Sequence, residues 1–257
     1  NEGIELQMDG YIIRKKDLFL QLGTNLTHNK NKILKISEAL KKQNEINNAV
    51  RSTMPLPQFQ EGESTTALKV VRSAGIDPAT GQEVYIKLNG DRTFTYDPDD
   101  KVVVGDLLPK VSGTVYSVFR YKQISAAAYF TYQNGGYVYN LTRATKVEGS
   151  NPQLNADERV FNDRWKNPGD ISAYKNIADR SIPRQTTRFV ELENTVSLSR
   201  LNVSYEVKPS IIKKYGASKL SFGVSMNELF RISTVKIERG TNYLYSRGVD
   251  FNLNIIF

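Results

Sequence analysis

The chain ends in Val249-Asp250-Phe251-Asn252-Leu253-Asn254-Ile255-Ile256-Phe257, where every odd position is apolar and positions 250, 252 and 254 are Asp or Asn. Successive side chains of a β-strand point to opposite faces, so this alternation predicts a strand with one apolar and one polar face. A chain that closes on such a strand with a terminal Phe is unusual for a water-soluble domain. The segment therefore indicates a sheet whose two faces meet different environments.

The same alternation recurs upstream. We expect six further strands, which begin near Ile4, Leu18, Val111, Ile124, Phe189 and Leu220. In the fifth of these, about 189–207, the apolar positions are even up to Leu198 and odd from Leu201. That change of parity predicts a β-bulge near Ser199 and Arg200.

The connections between these strands alternate in length. Short ones are expected at Arg14-Lys15-Lys16, Lys122-Gln123 and 208–218, and long ones at about 30–106, 141–188 and 231–246. Outer-membrane barrels have this asymmetry, with short periplasmic turns and longer extracellular loops. A sheet of seven strands would leave two unpaired edges in lipid, so other strands must complete it. We predict an all-β fold, an antiparallel transmembrane β-barrel segment of about seven strands with long extracellular loops.

Composition argues against an enzyme. The chain has no Cys and one His, His28, which excludes disulfides, thiolate metal sites and sites that need two His. A Ser–His–Asp triad would have to use His28, which we interpret as a solvated loop residue. We therefore predict no catalytic residues and no metal site.

Charge gives little sign of a ligand. The net charge is +8, but the basic cluster of 30–42 lacks the interleaved aromatics that stack on bases, so we expect no nucleic acid. Asp97-Pro98-Asp99-Asp100 carries oxygen ligands suited to Ca²⁺, without the spacing of an EF-hand. An acidic surface turn is the favoured interpretation, with Ca²⁺ in an extracellular loop as the alternative; no other cofactor is expected.

Several short motifs follow one another along the chain. They are Asn1-Glu2-Gly3-Ile4-Glu5-Leu6 with 22–33, Glu61-Gly62-Glu63-Ser64 with 73–81, Phe119-Arg120-Tyr121-Lys122 with 132–140, Arg164-Trp165-Lys166-Asn167-Pro168-Gly169-Asp170, Ser204-Tyr205, Asn227-Glu228-Leu229-Phe230 and Phe257. With these motifs in this order, the chain resembles the C-terminal third or less of SusC/RagA-type TonB-linked outer-membrane proteins, the large transporters of Bacteroidetes. Segment 35–60 matches nothing in that pattern, and a short helix is expected there.

The resemblance implies that residues 1–257 are the C-terminal part of a TonB-dependent receptor barrel of roughly 22 strands. The plug domain, the TonB box and the N-terminal strands would lie upstream of Asn1. Such proteins import oligosaccharides or peptides across the bacterial outer membrane, with a SusD-like lipoprotein as a lid and TonB acting through the plug. Outer-membrane lipid would contact Val249, Phe251, Leu253, Ile255 and Phe257.

The long loops supply the candidates for contact with a solute or with the lipoprotein, which are Trp165, Asp170, Arg184, Tyr174 and Tyr96. Aromatic faces beside planar polar groups suit carbohydrates, and backbone-like hydrogen-bonding groups suit peptides. The alternative, which we favour for Trp165 and the Pro168-Gly169 turn, is that they hold a large loop in place. Two other functions remain open for the chain: a soluble all-β carbohydrate-binding module, and a passive porin or secretion barrel.

Overall fold

The computed structural model describes residues 1–151, 153–154, 158–236 and 247–257. Within these residues the strands, in chain order, are β1 (Glu2–Arg14), β2 (Leu18–Lys30), β3 (Ala67–Ile76), β4 (Glu83–Ile86), β5 (Arg92–Thr93), β6 (Lys101–Asp106), β7 (Val111–Tyr121), β8 (Ile124–Tyr139), β9 (Val190–Glu206), β10 (Lys219–Ser233) and β11 (Val249–Ile256). The helices are α1 (Glu38–Ala49), α2 (Arg159–Asn162) and α3 (Pro209–Ile212), with short 3₁₀ turns at Pro98–Asp100, Thr187–Phe189 and Lys213–Tyr215 and a π-helical turn at Arg143–Glu148. No described helix has the length and apolar character needed to cross a membrane.

Seven strands form one sheet in the order β1-β2-β7-β8-β9-β10-β11. The register of β2 with β7, β7 with β8, β9 with β10 and β10 with β11 is antiparallel throughout. The sheet is open, with β1 and β11 at its edges. The predicted all-β class, the antiparallel arrangement and the number of strands in this sheet are confirmed.

The last three strands separate apolar from polar side chains. Residues directly opposite each other in an antiparallel pair share a face. Leu253 lies opposite Phe222, which lies opposite Tyr205, and one residue along, Asn252 lies opposite Gly223. The same apolar face carries Phe251 opposite Val224 and Val203, and Val249 opposite Met226 and Leu201; the other face carries Asn254 with Ser221 and Glu206, and Asp250 with Ser225 and Asn202. The alternation predicted for the terminal strand thus extends across its neighbours.

The register shift predicted near Ser199 is present. Arg200 lies opposite Asn227 and Leu198 opposite Phe230, so Glu228 and Leu229 both lie opposite Ser199. Glu228 has a φ of 49°, a left-handed conformation that is uncommon outside Gly. The additional residue of this bulge therefore belongs to β10. The parity change in β9 predicted an irregular pairing, but it did not identify which of the two strands holds the extra residue.

Two compact units make up the chain. One, here the sheet unit, contains Glu2–Asn29, Pro109–Gly135 and Glu193–Phe257. His28 is exposed and lies inside β2 and not in a loop, because β2 continues to Lys30 and holds the ring beside the Lys110 carbonyl oxygen, 2.5 Å from Nδ1. The prediction of a loop position for His28 was therefore wrong.

The other compact unit, here the loop unit, contains Asn1, Lys30–Leu108 and Gly136–Leu192. It holds most of two of the predicted long loops, which have folded into a second sheet of order β5-β4-β3-β6 and a core of Ala144, Val147, Val160, Tyr174 and Phe189. The expected helix in 35–60 is confirmed as α1, where the Ser37 side chain accepts a hydrogen bond from Leu40 N. Of the third predicted long loop, 231–246, residues 237–246 lie outside the described part of the chain.

Candidate functional site

The five predicted loop candidates all belong to the loop unit. Trp165 is buried, with 8% of its surface exposed, and its indole Nε1–H donates a hydrogen bond of 2.8 Å to the Pro78 carbonyl oxygen. Gly169 N donates to the same oxygen, also at 2.8 Å. Trp165 and the Pro168-Gly169 turn are thus both bonded to the segment around Pro78, as expected of groups that hold a loop in place.

The Pro78 segment is a tight turn that Gly81 closes. Gly81 N donates to the Asp77 carbonyl oxygen at 2.8 Å, and Thr80 Oγ1 donates to Asp77 Oδ2 at 2.6 Å. Gly81 has a φ of +71°, and a Cβ there would lie 2.5 Å from Trp165 Cδ2. Both the backbone conformation and the indole therefore require a residue without a side chain at this position.

Asp170 ends the Trp165 turn. Its carboxylate Oδ2 accepts hydrogen bonds from Asn167 N at 2.8 Å and from Lys166 N at 3.0 Å. These two N–H donors, Asn167 first, lower the pKa of the Asp170 carboxyl, because they favour its charged form. The carboxylate thus provides the hydrogen-bond acceptor for two backbone N–H groups of its own turn.

Tyr174 lies in the core of the loop unit, with 3% of its surface exposed. Its hydroxyl oxygen accepts a hydrogen bond of 3.0 Å from Arg143 Nε, and the Arg143 guanidinium lies 5.7 Å from the centre of its ring. Arg143 also forms an ion pair with Glu191. The contacts of Tyr174 are therefore with its own loop unit.

The sequence analysis did not predict a buried ionic cluster around Arg188. Its guanidinium donates to both carboxylate oxygens of Glu83 at 2.8 and 2.9 Å, and to both of Glu148 at 2.7 Å. The side chains of Glu83 and Glu148 are each 1% exposed. Burial acts to lower the pKa of Arg188, but the two carboxylates outweigh it and hold that pKa above its usual value.

Arg164 is a second buried cation of the loop unit. Its guanidinium donates to four backbone carbonyl oxygens, those of Val160, Lys175, Val147 and Glu148, at 2.6 to 3.2 Å. Burial lowers the pKa of Arg164, and the charge of Glu148 opposes that effect. The interior of the loop unit thus holds one guanidinium between two carboxylates and another bonded to backbone carbonyl oxygens.

Tyr96 and Arg184, the remaining two candidates, lie together. The Arg184 guanidinium is 5.3 Å from the centre of the Tyr96 ring, a cation–π contact, and Tyr96 packs edge-on against Tyr85 at 5.4 Å. Burial raises the pKa of Tyr96 to about 12, with Arg184 opposing. Both residues line a cavity of about 190 Å³ with Asn48, Ala49, Val50, Arg51, Ser52, Pro98, Lys101 and Gln185. Arg51, Lys101 and Gln185 were not among the predicted residues, since nothing in their local sequence separates them from surface residues.

The acidic turn considered for Ca²⁺ uses its carboxylates within the protein. Asp97 Oδ1 accepts from Asp99 N, Asp99 Oδ1 from Asn48 Nδ2, and Asp100 Oδ1 from Leu88 N, at 2.7 to 3.0 Å. Within the described residues, no group of three or more His, Cys, Asp or Glu side chains is arranged to hold a metal ion. The arrangement is that of a surface turn.

Comparisons with known proteins agree with the fold. No family model matches the chain. It is 25% identical over 155 residues to a TonB-dependent receptor of Formosa agariphila, a match that covers 58% of this chain and 15% of the receptor. The structure of the RagAB peptide transporter matches with a TM-score of 0.71 and 18% identity over 91% of this chain and 26% of that chain. The RagAB peptide importer in its open-open state gives a TM-score of 0.71 at 19% identity, over 91% and 25% of the two chains.

This chain therefore spans about a quarter or less of the length of the proteins that it matches. The structural likeness shows that this chain has the fold of one part of these larger proteins. Together with the receptor match, it confirms the resemblance to SusC/RagA-type TonB-linked proteins that the motifs predicted.

Proposed function

We propose that this chain, which resembles SusC/RagA-type TonB-linked proteins in motifs and in fold, supplies wall strands and extracellular loops to a transporter of the bacterial outer membrane. The transporter would import oligosaccharides or peptides together with a SusD-like lipoprotein. Its energy would come from TonB acting through a plug domain. The similar proteins are described as a receptor and as peptide transporters, in agreement with a non-enzymatic function.

The observation that carries the proposal is the separation of faces in the sheet unit. Phe251 and Leu253 are 81% and 60% exposed, and they share their face with Phe222 and Tyr205. Water-soluble proteins rarely expose contiguous apolar surface on this scale. Acyl chains of the outer membrane would cover it, as they do the outward-facing band of barrels.

The opposite face suits a water-filled lumen. Asn252, Gly223 and Ser204 occupy one row of it, and Asn254, Ser221 and Glu206 the next. Strands of outer-membrane barrels alternate in this way between a lipid side and a polar interior. A soluble binding module would need a second layer over the apolar face, and the described residues of the sheet unit provide none.

The folded long connections suit a role at the solute entrance. They have a hydrophobic core of their own and a buried ionic cluster, so they would present a shaped surface in place of flexible loops. Solute and lipoprotein would contact the exposed parts of this unit, with Tyr96 and Arg184 as the candidate contacts for solute. Long ordered loops of this kind are usually functional.

The test uses the full-length protein expressed in its own cells. We expect it in the outer-membrane fraction, with heat-dependent mobility in gels, and we expect growth on its solute to stop when TonB is deleted. Recovery of the protein from the aqueous fraction would favour the soluble carbohydrate-binding module. Membrane location with growth unaffected by loss of TonB would favour the passive porin or secretion barrel.

A further inference from the structure

The cavity beside Tyr96 carries an unbalanced charge. Three of its lining residues, Arg51, Lys101 and Arg184, are cations, and none is a carboxylate. Other cations of the loop unit have carboxylate partners, as Arg143 has Glu191 and Arg188 has Glu83 and Glu148, while the buried Arg164 is held by backbone carbonyl oxygens. The cavity instead has three cations in its lining, the exposed Arg51 and the half-buried Lys101 and Arg184, and neither a carboxylate nor a carbonyl set that neutralises them.

None of the three cavity cations forms an ion pair with a described residue. Lys101 Nζ donates only to Asn48 Oδ1, at 3.2 Å, and no described acceptor lies within hydrogen-bonding distance of the Arg51 or Arg184 guanidinium. The nearby carboxylate of Asp99 accepts a hydrogen bond from Asn48 and does not line this cavity. Burial lowers the pKa of Lys101, with Asp99 opposing, so the pocket holds that ammonium at a cost which an anion would offset.

The cavity is also held in shape. Arg184 lies over the Tyr96 ring, which is itself packed against Tyr85. Gln185 Nε2 donates to the Ser52 and Met54 carbonyl oxygens, both at 2.9 Å, and so ties the segment after α1 to the wall of the cavity. A guanidinium fixed in this way loses less conformational freedom when it binds an anion.

Gln185 is a buried residue of the cavity wall. The residue is 3% exposed, and its Oε1 is buried without a hydrogen-bond partner in the described part of the chain. The two carbonyl acceptors fix which end of the amide is nitrogen, so Oε1 is the free end. Because this oxygen has almost no accessible surface, a ligand in the cavity would not reach it, and Gln185 serves to shape the wall.

We infer that this cavity binds one unit of a solute that carries a carboxylate or sulfate group. The oxyanion would accept hydrogen bonds from Arg184, Arg51 and Lys101. The cavity, at about 190 Å³, is smaller than the ~300–1,000 Å³ of pockets for drug-sized ligands, so it suits a single sugar or amino-acid unit. The inference deepens the proposed function and rests on it, because the ligand would be part of the imported solute.

Two sources can supply such a unit, an acidic saccharide or an acidic peptide. Calorimetry on the purified full-length protein in detergent distinguishes them with three acidic probes and a neutral counterpart of each. Trigalacturonate and a sulfated disaccharide form the saccharide arm, and triglutamate forms the peptide arm, each compared with its methyl-esterified, unsulfated or amidated neutral counterpart. The amidated peptide is triglutamine blocked at both termini, so that it carries no carboxylate. We expect one arm to bind at least about 10-fold more tightly than its counterpart.

Matched variants assign the binding to this cavity. Arg184→Gln and Arg51→Gln each remove one charge-assisted hydrogen-bond donor. Each should lower the affinity for the preferred probe by about 10-fold or more. Arg92→Gln removes the same charge from an exposed position outside the cavity and should leave binding unchanged. If no acidic probe binds the wild-type protein, or if all three variants weaken binding equally, the inference is wrong.

The outcomes also separate this inference from the proposed function. A protein that lies in the outer membrane and needs TonB, but binds acidic and neutral probes alike, would overturn the inference alone. A protein that binds acidic probes through Arg184 but supports growth without TonB would uphold the cavity and overturn energised transport. Surface protease patterns of the variants confirm that each one is folded.

Discussion

The indole of Trp165 occupies the space that a Cβ on Gly81 would need, because such an atom would lie 2.5 Å from Cδ2 and 2.6 Å from Cε3. The two residues are far apart in the chain, but the small size of Gly81 and the position of the Trp165 indole depend on each other. Gly81 permits the indole to approach, and the indole Nε1 bonds to Pro78 in the same turn. The pair joins the two long connections of the loop unit.

Gly81→Ala should therefore destabilise the loop unit by about 2–4 kcal/mol, since it adds both backbone strain at a φ of +71° and a clash with Trp165. The rate of trypsin cleavage of the protein in outer-membrane vesicles measures how often the loop unit unfolds. Gly90→Ala is the control, because Gly90 also has a positive φ, +94°, but a Cβ there would meet nothing within 4 Å. Equal acceleration of cleavage in both variants would show that the indole contact contributes nothing.

Removing the cation at the centre of the buried ionic cluster should lower the stability of the loop unit by more than Gly81→Ala does. Arg188→Met leaves the carboxylates of Glu83 and Glu148 buried without their guanidinium, which costs about 3–5 kcal/mol for a buried pair broken on one side. The same cleavage assay applies, with Arg92→Met at an exposed position as the control.

A triple variant tests the electrostatic cause of that loss. Adding Glu83→Gln and Glu148→Gln to Arg188→Met removes the uncompensated charges and should recover part of the stability. A triple variant as unstable as Arg188→Met would show that lost packing, and not buried charge, explains the effect.

The strands and their faces were predictable because the signal is local. Alternation within Leu220, Phe222, Val224 and Met226 places these side chains on one face without knowledge of any other strand. The helix α1 was also expected within its own segment, 35–60. The bulge in β10 was harder, since only its pairing with β9 reveals which strand has the extra residue.

The interior of the loop unit could not be predicted because its contacts join distant residues. Arg188 lies 105 residues from Glu83 and 40 from Glu148, and no spacing rule connects them. Residue type was also a weak guide among the aromatic candidates. Trp165 and Tyr174 are buried against their own unit, whereas Tyr96 lines a cavity, and only the packing partners decide between these outcomes.

The Trp165 turn should loosen in acid. The pKa of the Asp170 carboxyl is lowered in the folded protein by the N–H groups of Asn167 and Lys166, so its stabilising effect is complete above the ordinary Asp pKa of about 3.9. That effect is lost as the pH falls through the lowered value. Hydrogen exchange at residues 165–170 between pH 6 and pH 3 should show this loss in the wild-type protein. Asp170→Ala should be loose at every pH, and a pH-dependent loosening that survives in this variant would point to another group.

A charge should be tolerated differently on the two faces of the terminal strand. Leu253→Arg places a charge on the face shared with Phe222 and Tyr205, and it should cost ~2–4 kcal/mol if that face meets lipid near the midplane. Asn252→Arg, one residue along and opposite Gly223, puts the same charge on the polar face and should cost much less. Urea titrations of the full-length protein in lipid vesicles measure both costs. Because the two variants share their charge, their strand and their depth to within one residue, a difference between them reports the environment of each face, and equal costs would refute a lipid contact for Leu253.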